Sequence, residues 1–104
     1  MKENVLALAG LGKIPDADNM SDDLFRQYDQ LLQIPEPLTF DEAELLIDLF
    51  SDDCDDLNWA LLHLIETAGH HQTARYRELI SGCSNRMFRE LLETRLNNSL
   101  KTEQ

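Results

Sequence analysis

Leu38-Thr39-Phe40-Asp41-Glu42-Ala43-Glu44-Leu45-Leu46-Ile47-Asp48-Leu49-Phe50, then Ser51-Asp52-Asp53-Cys54-Asp55-Asp56, then Leu57-Asn58-Trp59-Ala60-Leu61-Leu62-His63-Leu64-Ile65-Glu66-Thr67-Ala68-Gly69, reads as helix, turn, helix. Thr39 and Glu42 have capping-box spacing. The hydroxyl and the carboxylate can each satisfy a backbone N–H that an emerging helix leaves orphaned. Ala43, Leu46, Ile47 and Phe50 recur at helical spacing and form one apolar stripe. Past the acidic turn, apolar residues cover most of the circumference from about Asp56 to Ala68, which predicts a central, buried helix. Trp59 is expected to pack in the core with it, the alternative being a partially exposed contact residue for a partner. Gly69 suits the C′ position of that helix.

The flanks read the same way. Lys2 to Leu11 is a helix stopped at Gly12, and Pro15 prevents easy continuation. Ser21 is a good N-cap, with Asp22 and Asp23 in the first turn, ahead of Leu24, Tyr28, Leu31 and Leu32. Ile34-Pro35-Glu36-Pro37 ends that helix, because the residue before a proline is pushed out of helical geometry. Thr73 to Ser81 carries Tyr76, Leu79 and Ile80. A last helix is expected from Ser84, with Met87, Phe88, Leu91, Leu92 and Leu96 on one face, fraying from Asn97 onward. No strand-like alternation lasts six residues. The expectation is an all-α fold: an irregular bundle of about five to six short helices built from helical hairpins, in a single domain over 1–104.

Charge narrows the function classes. The 104 residues hold 20 acids and 9 Lys+Arg, a net charge of -11, with 42% hydrophobic residues. That hydrophobic fraction is too high for a disordered acidic tail. The charge argues against nucleic acid or an anionic membrane as partner, since phosphate contacts need bases. Residues 1–60 carry 15 acids and 3 bases; residues 61–104 carry 5 acids and 6 bases. From Gln27 to Ala74 there is no Lys or Arg, while eleven acids occur. A one-sign stretch of this length needs a reason, and the acidity points to a basic partner or simply to solubility.

Other chemistry is poorly represented. Counted from Asp52, the sixth position of a calcium loop is Leu57 and the twelfth is His63, so the EF-hand pattern fails. His63 and His70 stand seven apart, too far to share a zinc within one helix, and Cys54 and Cys83 have no metal-ligand spacing. No metal and no cofactor is expected. His63 reads as a packed or hydrogen-bonded core-edge residue, and His70-His71 as an exposed turn. No nucleophile elbow, P-loop or dinucleotide-binding glycine pattern occurs, so no enzyme is expected. The two cysteines read as free thiols in a reducing cytoplasm. The N-terminal apolar run, Val5 to Ala9, is too short for a secretory core, and Glu3 stands in its charged region. No stretch approaches the roughly 18–20 apolar residues of a membrane span. Arg86, Arg89, Glu90 and Glu93 interleave at helical spacing and read as a solvated salt-bridged face.

Residues 38–70, and above all Trp59-Ala60-Leu61-Leu62-His63-Leu64-Ile65-Glu66-Thr67-Ala68, resemble small acidic helical immunity proteins. Those proteins are encoded beside bacterial toxins, including the toxins of contact-dependent growth inhibition. The resemblance implies an inhibitor that binds one cognate basic toxin domain, such as a nuclease, and occludes its active site or substrate surface. The acids best placed for contact are Glu44, Asp48, Asp52, Asp53, Asp55 and Asp56 on the central hairpin. Asp22 and Asp23 come second, since helix-start capping already accounts for them. The competing expectation is an acidic helical adaptor for a basic cellular protein.

Overall fold

The computed structural model describes residues 2–35, 37–53, 55–69 and 73–102, and only the backbone of Asp55, Gly69 and 99–102. Cys54, His70 and His71, each given a reading above, lie outside the described residues. The fold is all-helical. Among the described residues six α-helices follow in order: α1 Glu3–Leu11, α2 Asp22–Leu31, α3 Phe40–Leu46, α4 Asp55–Glu66, α5 Thr73–Ser81 and α6 Arg86–Thr102. Short 3₁₀ turns stand at Ala17–Asn19 and Thr67–Gly69. No strand occurs among the described residues.

Local chemistry sets the helix ends. The Ser21 hydroxyl accepts the Leu24 N–H at 3.1 Å and starts α2. Thr39 and Glu42 close the capping box of α3: the Glu42 N–H donates to Thr39 Oγ1 at 3.2 Å, and the Thr39 N–H donates to Glu42 Oε1 at 2.9 Å. α1 ends at Gly12, whose φ of 81° is reached without a Cβ penalty. α6 is capped by Asn85, one residue beyond the expected Ser84, with its Oδ1 accepting the Phe88 N–H at 3.1 Å. The last helix does not fray at Asn97 but continues to Thr102. Asn97 itself is tied to α5, accepting from Arg77 at 3.1 Å.

The hairpins α3–α4 and α5–α6 form as expected, and α1 lies across α2 and α3. One core runs through all six helices, with Val5, Tyr28, Leu46, Leu61, Ile65, Ile80, Phe88 and Leu92 inside it. The molecule measures 44 × 27 × 20 Å. Phe50 belongs to the core but not to α3. The helix stops at Leu46, and Phe50 reaches the interior from the following loop, where its ring stacks on Phe88 at 4.5 Å. Cys83 is a buried free thiol that donates to the Ile47 carbonyl, and burial pushes its pKa up.

Glu42 does more than cap. Its carboxylate is buried, and it also accepts from Lys2 twice: from the backbone N–H at 3.0 Å and from the ammonium at 2.9 Å. Burial alone raises a carboxyl pKa. Here the hydrogen bonds from Thr39 and Lys2, with the Lys2 charge, outweigh it and bring the value to about 2. One side chain thereby joins the start of α1 to the start of α3.

Two expectations for α4 are corrected. Trp59 is not a core residue: it is 40% exposed at the seam between α4 and α6. His63 is not packed at the core edge but stands on the solvent side, with Nδ1 3.5 Å from Glu66. Both follow from helical phase. Asp56, Trp59, His63 and Glu66 share one stripe of α4. Asn58, Leu61, Leu62 and Ile65 share the buried one.

Candidate functional site

Three loops converge at one end of the molecule, and buried hydrogen bonds hold them together. They are the α1–α2 loop, the α3–α4 loop and the α5–α6 loop. Asn58, fully buried in α4, is the hub. Its Oδ1 accepts the Ser51 N–H at 2.7 Å, and its Nδ2 donates to the Ser51 carbonyl at 2.9 Å. An amide side chain thus mimics a paired backbone and satisfies a turn that cannot reach water. The Ser51 hydroxyl donates to the Pro15 carbonyl at 2.9 Å. Asn85 Nδ2 adds a second donor to the Ser51 carbonyl at 3.2 Å. The Ile14 N–H donates to the Leu49 carbonyl at 2.9 Å.

The carboxylates singled out by sequence divide around this knot. Asp48 and Asp53 serve the fold. Asp48 accepts the Ser84 N–H at 2.9 Å, and Asp53 accepts the Ala17 N–H at 2.6 Å. Asp52 is exposed and pairs with Lys13 at 3.2 Å, an open contact of little energetic weight. Asp56 is exposed in the first turn of α4, and Asp22 and Asp23 in the first turn of α2. None of these three has an ion pair among the described residues. The Asp55 side chain lies outside the description. Asp16 and Asp18 join the group on the 3₁₀ turn, where Asp16 caps Asn19.

Glu44 is set apart from these acids. It lines a small cleft with Phe40, Arg75 and Glu78, between α3 and α5. The Arg75 guanidinium lies 4.5 Å from the centre of the Phe40 ring and 3.9 Å from Asp41. Glu44 and Asp48, four positions apart in the sequence, do not share a continuous helical face, because α3 ends between them. Hydrogen bonds at Leu49 and Asp48 draw the chain away from the helix axis there.

The residues that organise this end were not recognised from sequence: Ser51, Asn58, Asn85 and Ile14. Asn58 left a signal. It is a polar residue on the stripe of Leu61, Leu62 and Ile65, where only a hydrogen-bonded amide is tolerated.

A second surface lies along α4 and α6. The Trp59 ring meets the edge of Phe88 at 6.3 Å, the His63 ring at 6.1 Å and the Arg95 guanidinium at 5.9 Å. Arg95 is fixed there by a two-pronged pair with Glu66, at 2.8 and 3.0 Å. A shallow groove of Ile34, Pro35, Ala60 and His63 borders the other side of the Trp59 stripe.

Among the described residues, no group of three or more His, Cys, Asp or Glu side chains is placed to hold a metal ion. Among the described residues no helix is long and apolar enough to cross a membrane. Comparison with protein-family models, curated proteins and solved structures finds no match to this chain.

Proposed function

We propose that this protein is an acidic inhibitor of the immunity class. It binds a cognate basic toxin domain, such as a nuclease, through the end of the molecule where its three loops meet. The observation that carries this reading is a division of labour among the acids. Asp48 and Asp53 are consumed by backbone hydrogen bonds, while Asp22, Asp23, Asp52 and Asp56 project from loops and helix starts that those bonds hold in place. Four exposed carboxylates on a fixed frame, one of them in an open pair with Lys13, suit a basic surface, because little ordering remains to be done on binding. Lys13 and Arg26 are the bases nearest to them in the chain. A nuclease offers such a surface, built for its polyanionic substrate, and an acidic protein seated on it displaces that substrate. The resemblance of residues 38–70 to immunity proteins supports the class; the loop geometry supports the face.

The test is capture by the product of the neighbouring reading frame, followed by association kinetics. The double variant Asp52→Lys, Asp56→Lys keeps both fold-serving carboxylates. It is expected to slow association by at least about tenfold at low salt and to flatten the salt dependence. Unchanged kinetics would place the contact elsewhere.

A further inference from the structure

Trp59, the sole tryptophan, is 40% exposed and held in a fixed setting. Phe88 meets it edge-on at 6.3 Å, and the Arg95 guanidinium stands 5.9 Å from its ring, itself tied to Glu66. On α6, Met87, Leu91 and Arg95 recur every four residues, so exposed Met87 and half-buried Leu91 extend the stripe that Arg95 brings to the tryptophan. Charge here is one-sided. Asp56 precedes Trp59 by three positions on α4, which makes the two side chains surface neighbours. Asp56 is exposed and has no ion pair among the described residues. At the far end of the stripe the charges cancel, because Glu66 and Arg95 hold each other at 2.8 and 3.0 Å. The surface thus offers a rigid ring, apolar ground beside it and one free carboxylate a turn away.

We propose that Trp59 anchors the interface by receiving an arginine side chain of the basic partner. The aliphatic stem lies along Met87 and Leu91, and the guanidinium stacks on the indole and pairs with Asp56. Charge complementarity selects this occupant. Asp56 and Trp59 both belong to the stretch from Gln27 to Ala74 that has no Lys or Arg, and the one base at the ring, Arg95, is already paired. A purely apolar occupant would cover Asp56 without a partner for its carboxylate, which is costly. A long basic side chain matches both halves of the surface, since it carries an apolar stem and a charged head. Arginine fits better than lysine: its planar group stacks on an aromatic face and meets a carboxylate side-on, whereas an ammonium is a compact, strongly hydrated charge. The inference rests on the basic partner proposed above. It adds which residue dominates the contact and which side chain it takes.

The probes are two synthetic peptides of equal charge, hexa-arginine and hexalysine, added to the full chain at low salt. Anisotropy of the fluorescein-labelled peptides gives Kd, and the emission of Trp59 during titration with unlabelled peptide reports on the ring directly. Hexa-arginine is expected to bind about two- to fivefold tighter than hexalysine, the strength of one exposed guanidinium–ring contact, and to change Trp59 emission saturably. Asp56→Asn is expected to weaken hexa-arginine and to shrink the emission change. Trp59→Leu is expected to bind the two peptides equally, with far-UV circular dichroism unchanged. The wild-type titration needs no variant, so it decides even if Trp59→Leu does not fold. Equal binding of both peptides with Trp59 emission unmoved overturns this inference alone, because the acids then hold a base away from the ring. Trp59 emission that shifts with protein concentration in the absence of peptide also overturns it, and assigns the ring to a second copy. Failure of either peptide to bind overturns it together with the basic-partner reading.

Discussion

Replacing Glu42 with glutamine is expected to cost stability in a way that disappears in acid. The carboxyl has an ordinary value of 4.5 and is held at about 2 in the fold. A depressed carboxyl stabilises the folded state above its unfolded pKa and stops doing so as pH falls through the folded one. At about 1.4 kcal/mol per pKa unit, the shift is worth about 3 kcal/mol at neutral pH. This contribution begins to fall near pH 5 and is gone near pH 2. Solvent screening takes little from it, since Glu42 is 1% exposed. Glutamine keeps the size, and its side-chain carbonyl can still accept the Thr39 N–H. What it loses is the charge facing the Lys2 ammonium and, with an amide nitrogen in place of Oε2, the acceptor of the Lys2 backbone N–H. Urea unfolding of wild type and Glu42→Gln at a series of pH values from 7 to 2 measures the difference. Taking the difference removes the relief of repulsion that every other acid contributes on protonation. The expected gap is about 2–3 kcal/mol at pH 7, closing toward zero near pH 2. A gap that is the same at both ends, or below about 0.5 kcal/mol at pH 7, would refute the assignment of Glu42 as an ionised, buried link between α1 and α3.

Asn58→Leu is expected to destabilise by about 2–4 kcal/mol in denaturant titration, because it removes the Asn58 acceptor of the Ser51 N–H and the shorter of the two amide bonds to the Ser51 carbonyl, leaving the one from Asn85. Phe88→Ala removes the ring that Phe50 stacks on and is expected to lower stability by about 3–5 kcal/mol, measured the same way. Tyr76→Phe should be neutral or stabilising by up to about 1 kcal/mol. Its hydroxyl is buried with no hydrogen-bond partner among the described residues. Asp53→Ala and Asp56→Ala should separate in thermal melts: the first costs about 1 kcal/mol through the lost Ala17 bond, and the second stays within about 0.5 kcal/mol.

Much of the backbone was legible because its signals are local. Ser21, the Thr39–Glu42 box, Gly12 and the Ile34-Pro35 break each act over three or four residues, and each falls where the sequence put it. The misreadings occurred where a local rule met a distant partner. α3 is shorter than its apolar stripe because Leu49 and Asp48 are bonded to Ile14 and Ser84, more than thirty positions away. Trp59 faces outward because helical phase, not hydrophobicity, decides which side of α4 a residue takes. Its stripe partners Asp56, His63 and Glu66 already marked it as solvent-facing.

For the candidate surface, the sequence determined that acids are concentrated in the first sixty residues and absent of counter-charge from Gln27 to Ala74. Charge and its order along the chain need no folding to be known. Only the tertiary structure decided which acids remain available to a partner. Asp52 and Asp53 are identical neighbours in sequence. One stands in solvent beside Lys13, and the other is bonded to the backbone of Ala17. That choice depends on where the α1–α2 loop is brought to rest. The packing of α1 against α2 and α3 and the Asn58–Ser51–Pro15 bonds set that position, and they join segments far apart in the chain.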